Sequence, residues 1–120
     1  MPHMWRIEPT SEWEKDQKWY AKKRPNELAA VLRNLDRFLG LLNCVPNSKA
    51  ISAGFLHGEP CGAVAIDQKG GGAHLRETRL YVYADDTKKI VYLITIGDKS
   101  SHSQGADIAL VKGFVDSLKA

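Results

Sequence analysis

The stretch "RETRLYVYADD", Arg76 to Asp86, combines residue types that can hold a phosphodiester: the guanidinium groups of Arg76 and Arg79, the phenol rings of Tyr81 and Tyr83, and an acidic turn. A guanidinium binds phosphate through parallel N–H donors, and aromatic rings stack on unpaired bases. Side chains alternate along a strand, so Thr78, Leu80 and Val82 share one face while Glu77, Arg79, Tyr81 and Tyr83 share the other. The aliphatic face belongs to a core. The opposite face becomes a candidate site, with Arg79 on phosphate, Arg76 beside it, and both rings exposed for stacking. The same residues also suit ordinary sheet packing, with the tyrosines filling cross-strand positions and Arg79 pairing with Glu77 or an acid on another strand.

The neighbouring elements must position this strand. Trp5 to Ile7 reads as a short strand broken by Pro9, and Ser11 with Glu14 forms a capping box that starts a helix at Glu12, running to about Arg24. Pro25 restarts a helix in which Leu28, Val31, Leu32, Leu35, Phe38, Leu39 and Leu42 recur at spacings of three and four. The two helices are expected to form an antiparallel hairpin. Asn43 to Ala53 reads as a loop. The period then changes: Gly62 to Gln68, Leu75 to Ala84 and Ile90 to Ile96 read as three strands of an antiparallel meander. Lys69 leads into Gly70-Gly71-Gly72, read as a flexible turn, and a last helix carries Ile108, Val111, Val115 and Leu118. The expected order is β-α-α-β-β-β-α, an α+β domain with the helix hairpin on one sheet face.

Composition fits one domain. The 120 residues are 43% hydrophobic and 26% charged, with a formal net charge of +3, which permits an anionic partner without requiring one. No apolar run approaches the roughly 20 residues of a membrane span, and a signal-peptide core is not seen, so no membrane partner and a cytoplasmic location are expected. Cys44 and Cys61 lack metal-ligand spacing and read as free thiols. The glycine run lacks the lysine-serine ending of a P-loop and opens no helix, so neither a metal nor a nucleotide cofactor is expected.

"TRLYVYADDTKKIVYLITIGDK", Thr78 to Lys99, resembles the C-terminal half of the RelE/ParE/HigB superfamily of bacterial toxins. The shared pattern is an arginine-aliphatic-x-tyrosine strand, an acidic turn, a hydrophobic strand and a basic residue just after it. The helix hairpin before this segment and the helix after it extend the likeness over nearly the whole domain. The resemblance implies a RelE-like fold and the toxin of a type II toxin–antitoxin pair, masked by a cognate small antitoxin protein. RelE-type members cut messenger RNA, usually on the ribosome; ParE-like members inhibit DNA gyrase. A third option is an interaction domain that keeps the fold without the activity.

Cutting without a metal requires the ribose 2′-oxygen to attack phosphorus, leaving a cyclic phosphate, with a base, a stabiliser of the phosphorane charge and an acid for the leaving 5′-oxygen. The resemblance puts Arg79 on the scissile phosphate and makes Lys99 the source of positive charge. The family's lysine pair on the preceding strand falls here around Ala65 and Asp67, and its C-terminal tyrosine has no counterpart after Tyr92. Substitutes are at hand. Lys69 can swing from its turn toward the cleft, His102 titrates near neutrality as a proton carrier, and His57 with Glu59 is a further choice. The expected set is thus Arg79, Lys99 and His102 for catalysis, with Lys69, Arg76, Tyr81 and Tyr83 for substrate.

Overall fold

The computed structural model describes residues 5–72, 74–98 and 104–119. The chain runs β1 (Arg6–Pro9), α1 (Ser11–Lys23), α2 (Pro25–Leu42), β2 (Leu56–Gly58), β3 (Val64–Asp67), β4 (Thr78–Asp85), β5 (Ile90–Asp98) and α3 (Gln104–Lys119). Single 3-10 turns occupy Ser48–Ala50 and Pro60–Gly62. The five strands make one mixed sheet in the order β1-β5-β4-β3-β2, with β1 parallel to β5 and the other neighbours antiparallel. The α+β class and the meander of β3, β4 and β5 match expectation. The element order does not: β2 stands where no strand is expected, because three residues are too few to show alternation.

Local chemistry explains the helices. Thr10, not Ser11, caps α1: its Oγ1 accepts the Trp13 N–H at 3.2 Å and donates to the Ile94 carbonyl at 2.9 Å. The tertiary bond to β5 selects threonine over its neighbour as the cap. Pro25 opens α2 with a φ already suited to a helix, and Leu28, Val31, Leu35, Phe38 and Leu42 bury one face.

Strand parity divides the core in two. Leu80, Val82, Leu93 and Ile96 pack with Val31 and Phe38 of α2 and Trp13 of α1. Tyr81, Ala65 and Ile94 pack with Val111 and Val115 of α3 on the opposite face. Helices therefore cover both faces, α1 and α2 on one and α3 on the other. A bulge adds to the second face: Tyr81 pairs with Thr95 but Val82 pairs with Leu93, so Ile94 is the extra residue and packs with the α3 residues.

β1 accompanies β5 only as far as Leu93. Beyond it, α1 seals the exposed strand edge. The Thr10 N–H donates to the Leu93 carbonyl at 3.1 Å, the Thr95 hydroxyl donates to Asp16, and Arg24 Nη1 meets Asp98 Oδ2 at 3.4 Å. The Ile94 carbonyl accepts from the Thr10 hydroxyl and the Ile96 backbone bonds to the Asp16 carboxylate, so this part of the edge offers fewer ladder groups to another strand. No described helix is long and apolar enough to cross a membrane.

Candidate functional site

Three antiparallel strands converge on one cleft. Asp67 of β3 pairs in register with Arg79 of β4, and His57 of β2 pairs with Ala65, two residues before Asp67. Alternation puts His57, Asp67 and Arg79 on the same sheet face. Together with Lys69 and Glu77 they line a cleft of about 170 Å³.

Asp67 organises the cleft. Its Oδ2 lies 2.7 Å from His57 Nε2, and its Oδ1 accepts the Lys69 N–H at 2.8 Å. With Nε2–H donating to the carboxylate, the imidazole keeps a basic Nδ1 for proton transfer. The Asp67 side chain is 8% exposed, against 31% for His57, so the acid is a buried orienter and the imidazole reaches solvent. Asn34, a buried polar residue on α2, anchors the same segment by donating to the carbonyls of Asp67 and Lys69.

Arg79 is held by a different acid. Its Nη1 lies 3.3 Å from Glu59 Oε2, and the two side chains are only 11% and 8% exposed. The Nε is buried without a hydrogen-bond partner among the described residues. A single long contact thus leaves one guanidinium donor unsatisfied, whereas a bidentate oxyanion satisfies two. Burial raises the Glu59 pKa above the usual carboxylate value, and the positive charges of Arg79 and His57 pull it back only in part.

The expected site residues separate in the structure. Lys69 lines the cleft, its Nζ 3.8 Å from Asp67 Oδ2 and donating to the Gly54 carbonyl at 3.0 Å. Its turn is tied down, contrary to the expectation of a flexible one: a Cβ on Gly71 would fall 2.4 Å from Ala30 Cβ, so the glycine serves close packing on α2. Arg76 is exposed; its backbone N–H donates to Glu27 at 3.0 Å, and it does not line the cleft. Tyr81 is the clearest correction. Its ring is 1% exposed and packs under α3, so it offers no stacking surface. Tyr83 is half-buried and faces a separate cleft beside Cys61 and Lys119. Alternation identifies the face these rings share but not the helix that covers it. Lys99 and His102 lie outside the described residues.

Sequence reading grouped His57 with Glu59. The structure gives each its own partner, and Asp67, the orienter, was missed. The available signal was hairpin register: His57 and Asp67 flank a turn at positions that antiparallel pairing brings together. Among the described residues, no group of three or more His, Cys, Asp or Glu side chains could hold a metal ion.

A second polar region lies where α3 begins. Glu12, Asp16, Asp98 and Asp107 line a cleft of about 340 Å³ with Tyr20 and Arg24. Asp107 rests so closely on Gly97 that a Cβ there would fall 1.9 Å from its Oδ2. Burial, then the negative charges of Asp16 and Glu12, raise the Asp107 pKa to about 6. Burial also raises that of Asp16, although the Thr95 hydroxyl partly offsets the effect.

In chemical terms the first cleft offers an oriented imidazole, a guanidinium with a spare donor and an ammonium, a set suited to an anionic ester. No protein-family model matches the chain, and no curated protein matches it in sequence.

Proposed function

We propose that the chain is the toxin of a bacterial toxin–antitoxin pair and a metal-independent endoribonuclease acting on messenger RNA. The observation that carries this reading is the shared cleft: the His57–Asp67 pair beside Arg79, whose buried Nε has no hydrogen-bond partner among the described residues. His57 Nδ1 takes the proton of the ribose 2′-hydroxyl, and the freed oxygen attacks phosphorus. Arg79 binds the phosphate through Nε and a terminal nitrogen in place of Glu59, and Lys69 adds charge as the phosphorane forms. Protonation of the leaving 5′-oxygen is assigned to His102 as an imidazole that titrates near neutrality, and the resemblance to the RelE/ParE/HigB superfamily gives Lys99 the role of supplying positive charge; both lie outside the described residues. His57 arrives on the unexpected strand β2 and Asp67 stands where the family carries lysine, so the dyad supplies a base that the family pattern lacks here.

The partner on this reading is a small antitoxin whose acidic segment complements a chain of net charge +3. One observation favours a second reading, an interaction domain without catalysis: Arg79 is already paired with Glu59 and Tyr81 is covered. The two separate by product. Purified protein is incubated with messenger RNA, alone with a chelator present and on translating ribosomes with their Mg2+ retained. The expected result is cleavage leaving 2′,3′-cyclic phosphate ends, lost in His57→Ala. Intact RNA under both conditions, with the variant and wild type alike, leaves the interaction domain.

A further inference from the structure

A larger cavity of about 450 Å³ shares His57 with the Arg79 cleft and takes Glu59, the partner of Arg79, into its wall. Its remaining lining differs in character. Ile51, Ala53, Leu56 and Val64 make an aliphatic wall, with Ser52 and Lys49 as polar members. Ile51, Leu56 and Val64 pack against the α1/α2 core on one side yet stay only half-buried. The fold thus leaves apolar surface uncovered in a concave place, next to groups that suit phosphate. Strand β2 is the sheet edge between the two regions: Leu56 lines the cavity on the α2 face, and the next residue, His57, turns to the other face as the imidazole of the dyad.

We propose that this cavity seats the nucleobase adjoining the phosphate held at Arg79, an inference that rests on the ribonuclease reading above. The volume falls in the range of about 300–1,000 Å³ typical of small-ligand sites. Of the parts of an RNA chain the base has the broad apolar faces; ribose carries hydroxyls around a small ring and phosphate is charged. With one phosphate on Arg79, the attached nucleoside passes His57 around the β2 edge of the sheet and enters the aliphatic pocket, and exposed Lys49 meets the next phosphate at the rim. Phe38 borders the cavity but is 1% exposed, so the base is gripped by aliphatic contact and selected by size, without ring stacking.

The test is a titration of isotope-labelled protein with the ribonucleoside 3′-monophosphates, with inorganic phosphate as reference. Phosphate is expected to shift the amide signals around Arg79 and His57, and at least one nucleotide to shift Ala53, Leu56 and Val64 as well. Ala53→Trp fills the cavity and should weaken that nucleotide at least about tenfold, leaving phosphate binding unchanged. Nucleotide shifts identical to those of phosphate overturn the proposal, whether or not the variant folds, and so does undiminished binding by a folded variant. Cleavage is scored separately on the wild type. Nucleotides in the cavity with RNA left uncut sink the ribonuclease reading alone; RNA cut with the cavity signals unmoved sinks the cavity alone.

Discussion

His57 Nε2 lies 2.7 Å from Asp67 Oδ2, a contact between residues ten positions apart that the antiparallel register of β2 and β3 brings together. If this pair is the catalytic base and its orienter, His57→Ala should lower the cleavage rate about a hundredfold or more. Asp67→Asn keeps the shape but removes the charge that holds the imidazolium. It should lower kcat about tenfold or more with KM little changed. Steady-state kinetics on a short RNA checks both, and a wild-type rate for either variant removes the dyad from the mechanism.

The Arg79–Glu59 pair couples stability to binding. Arg79→Ala leaves a buried carboxylate without its cation and should cost about 3 kcal/mol, so lost activity in that variant is not by itself proof of a catalytic role. Glu59→Gln is the sharper test, because it removes the competing charge while Arg79 stays. Phosphate affinity, followed by titration, should rise several-fold, while Tm falls because the buried Arg79 loses its counter-ion and recovers when phosphate is added. Weaker phosphate binding in Glu59→Gln contradicts the exchange of carboxylate for phosphate.

Gly97 sits against the end of the Asp107 side chain. Gly97→Ala would thrust a methyl group 1.9 Å from Asp107 Oδ2, so the carboxylate must turn aside, at an expected cost of about 1 kcal/mol. Asp107→Ala should relieve most of that cost. Thermal unfolding of the single and double variants measures the coupling, and simple additivity argues against the close approach.

Asp107 makes stability depend on pH. Its folded pKa of about 6 exceeds the ordinary carboxylate value of 3.8, so the folded state binds the proton more tightly than the unfolded chain. The favourable contribution is complete below the lower value and is lost as pH rises through the upper one. Asp16, Glu12 and Asp98 face the same cleft as negative groups, with Arg24 as the cation and Tyr20 alongside. Asp107→Asn should therefore raise Tm relative to wild type at about pH 7.5 but not at about pH 4. A Tm difference that does not vary with pH would assign the effect to something other than ionisation.

The parts of this fold written in local patterns were legible. The spacing of Val31, Leu35, Phe38 and Leu42 marks α2, and the alternation of Leu80 and Val82 against Arg79 and Tyr81 assigns the faces of β4 correctly. What eluded the sequence depends on contacts between distant segments. Strand β2 is three residues long, and its identity comes from pairing with β3. Tyr81 reads as an exposed ring until α3 is placed over it. Asp67 looks like the end of a strand until His57 is brought across from β2. Both halves of the candidate site were therefore visible as residue types, while their pairing was set by tertiary structure.

The parallel pairing of β1 with β5 has a consequence for synthesis. Arg6 aligns with Ile90, so β1 leaves the ribosome long before β5, the strand it pairs with. Contacts so far apart in sequence form slowly, because a long loop must close before they contribute anything. Through that interval α2 carries Val31 and Phe38 without the β5 residues that later pack beside them. A nascent chain stopped short of residue 98 keeps part of that apolar surface open, where chaperones and proteases act. The described five-stranded sheet is therefore complete only after β5 has been made.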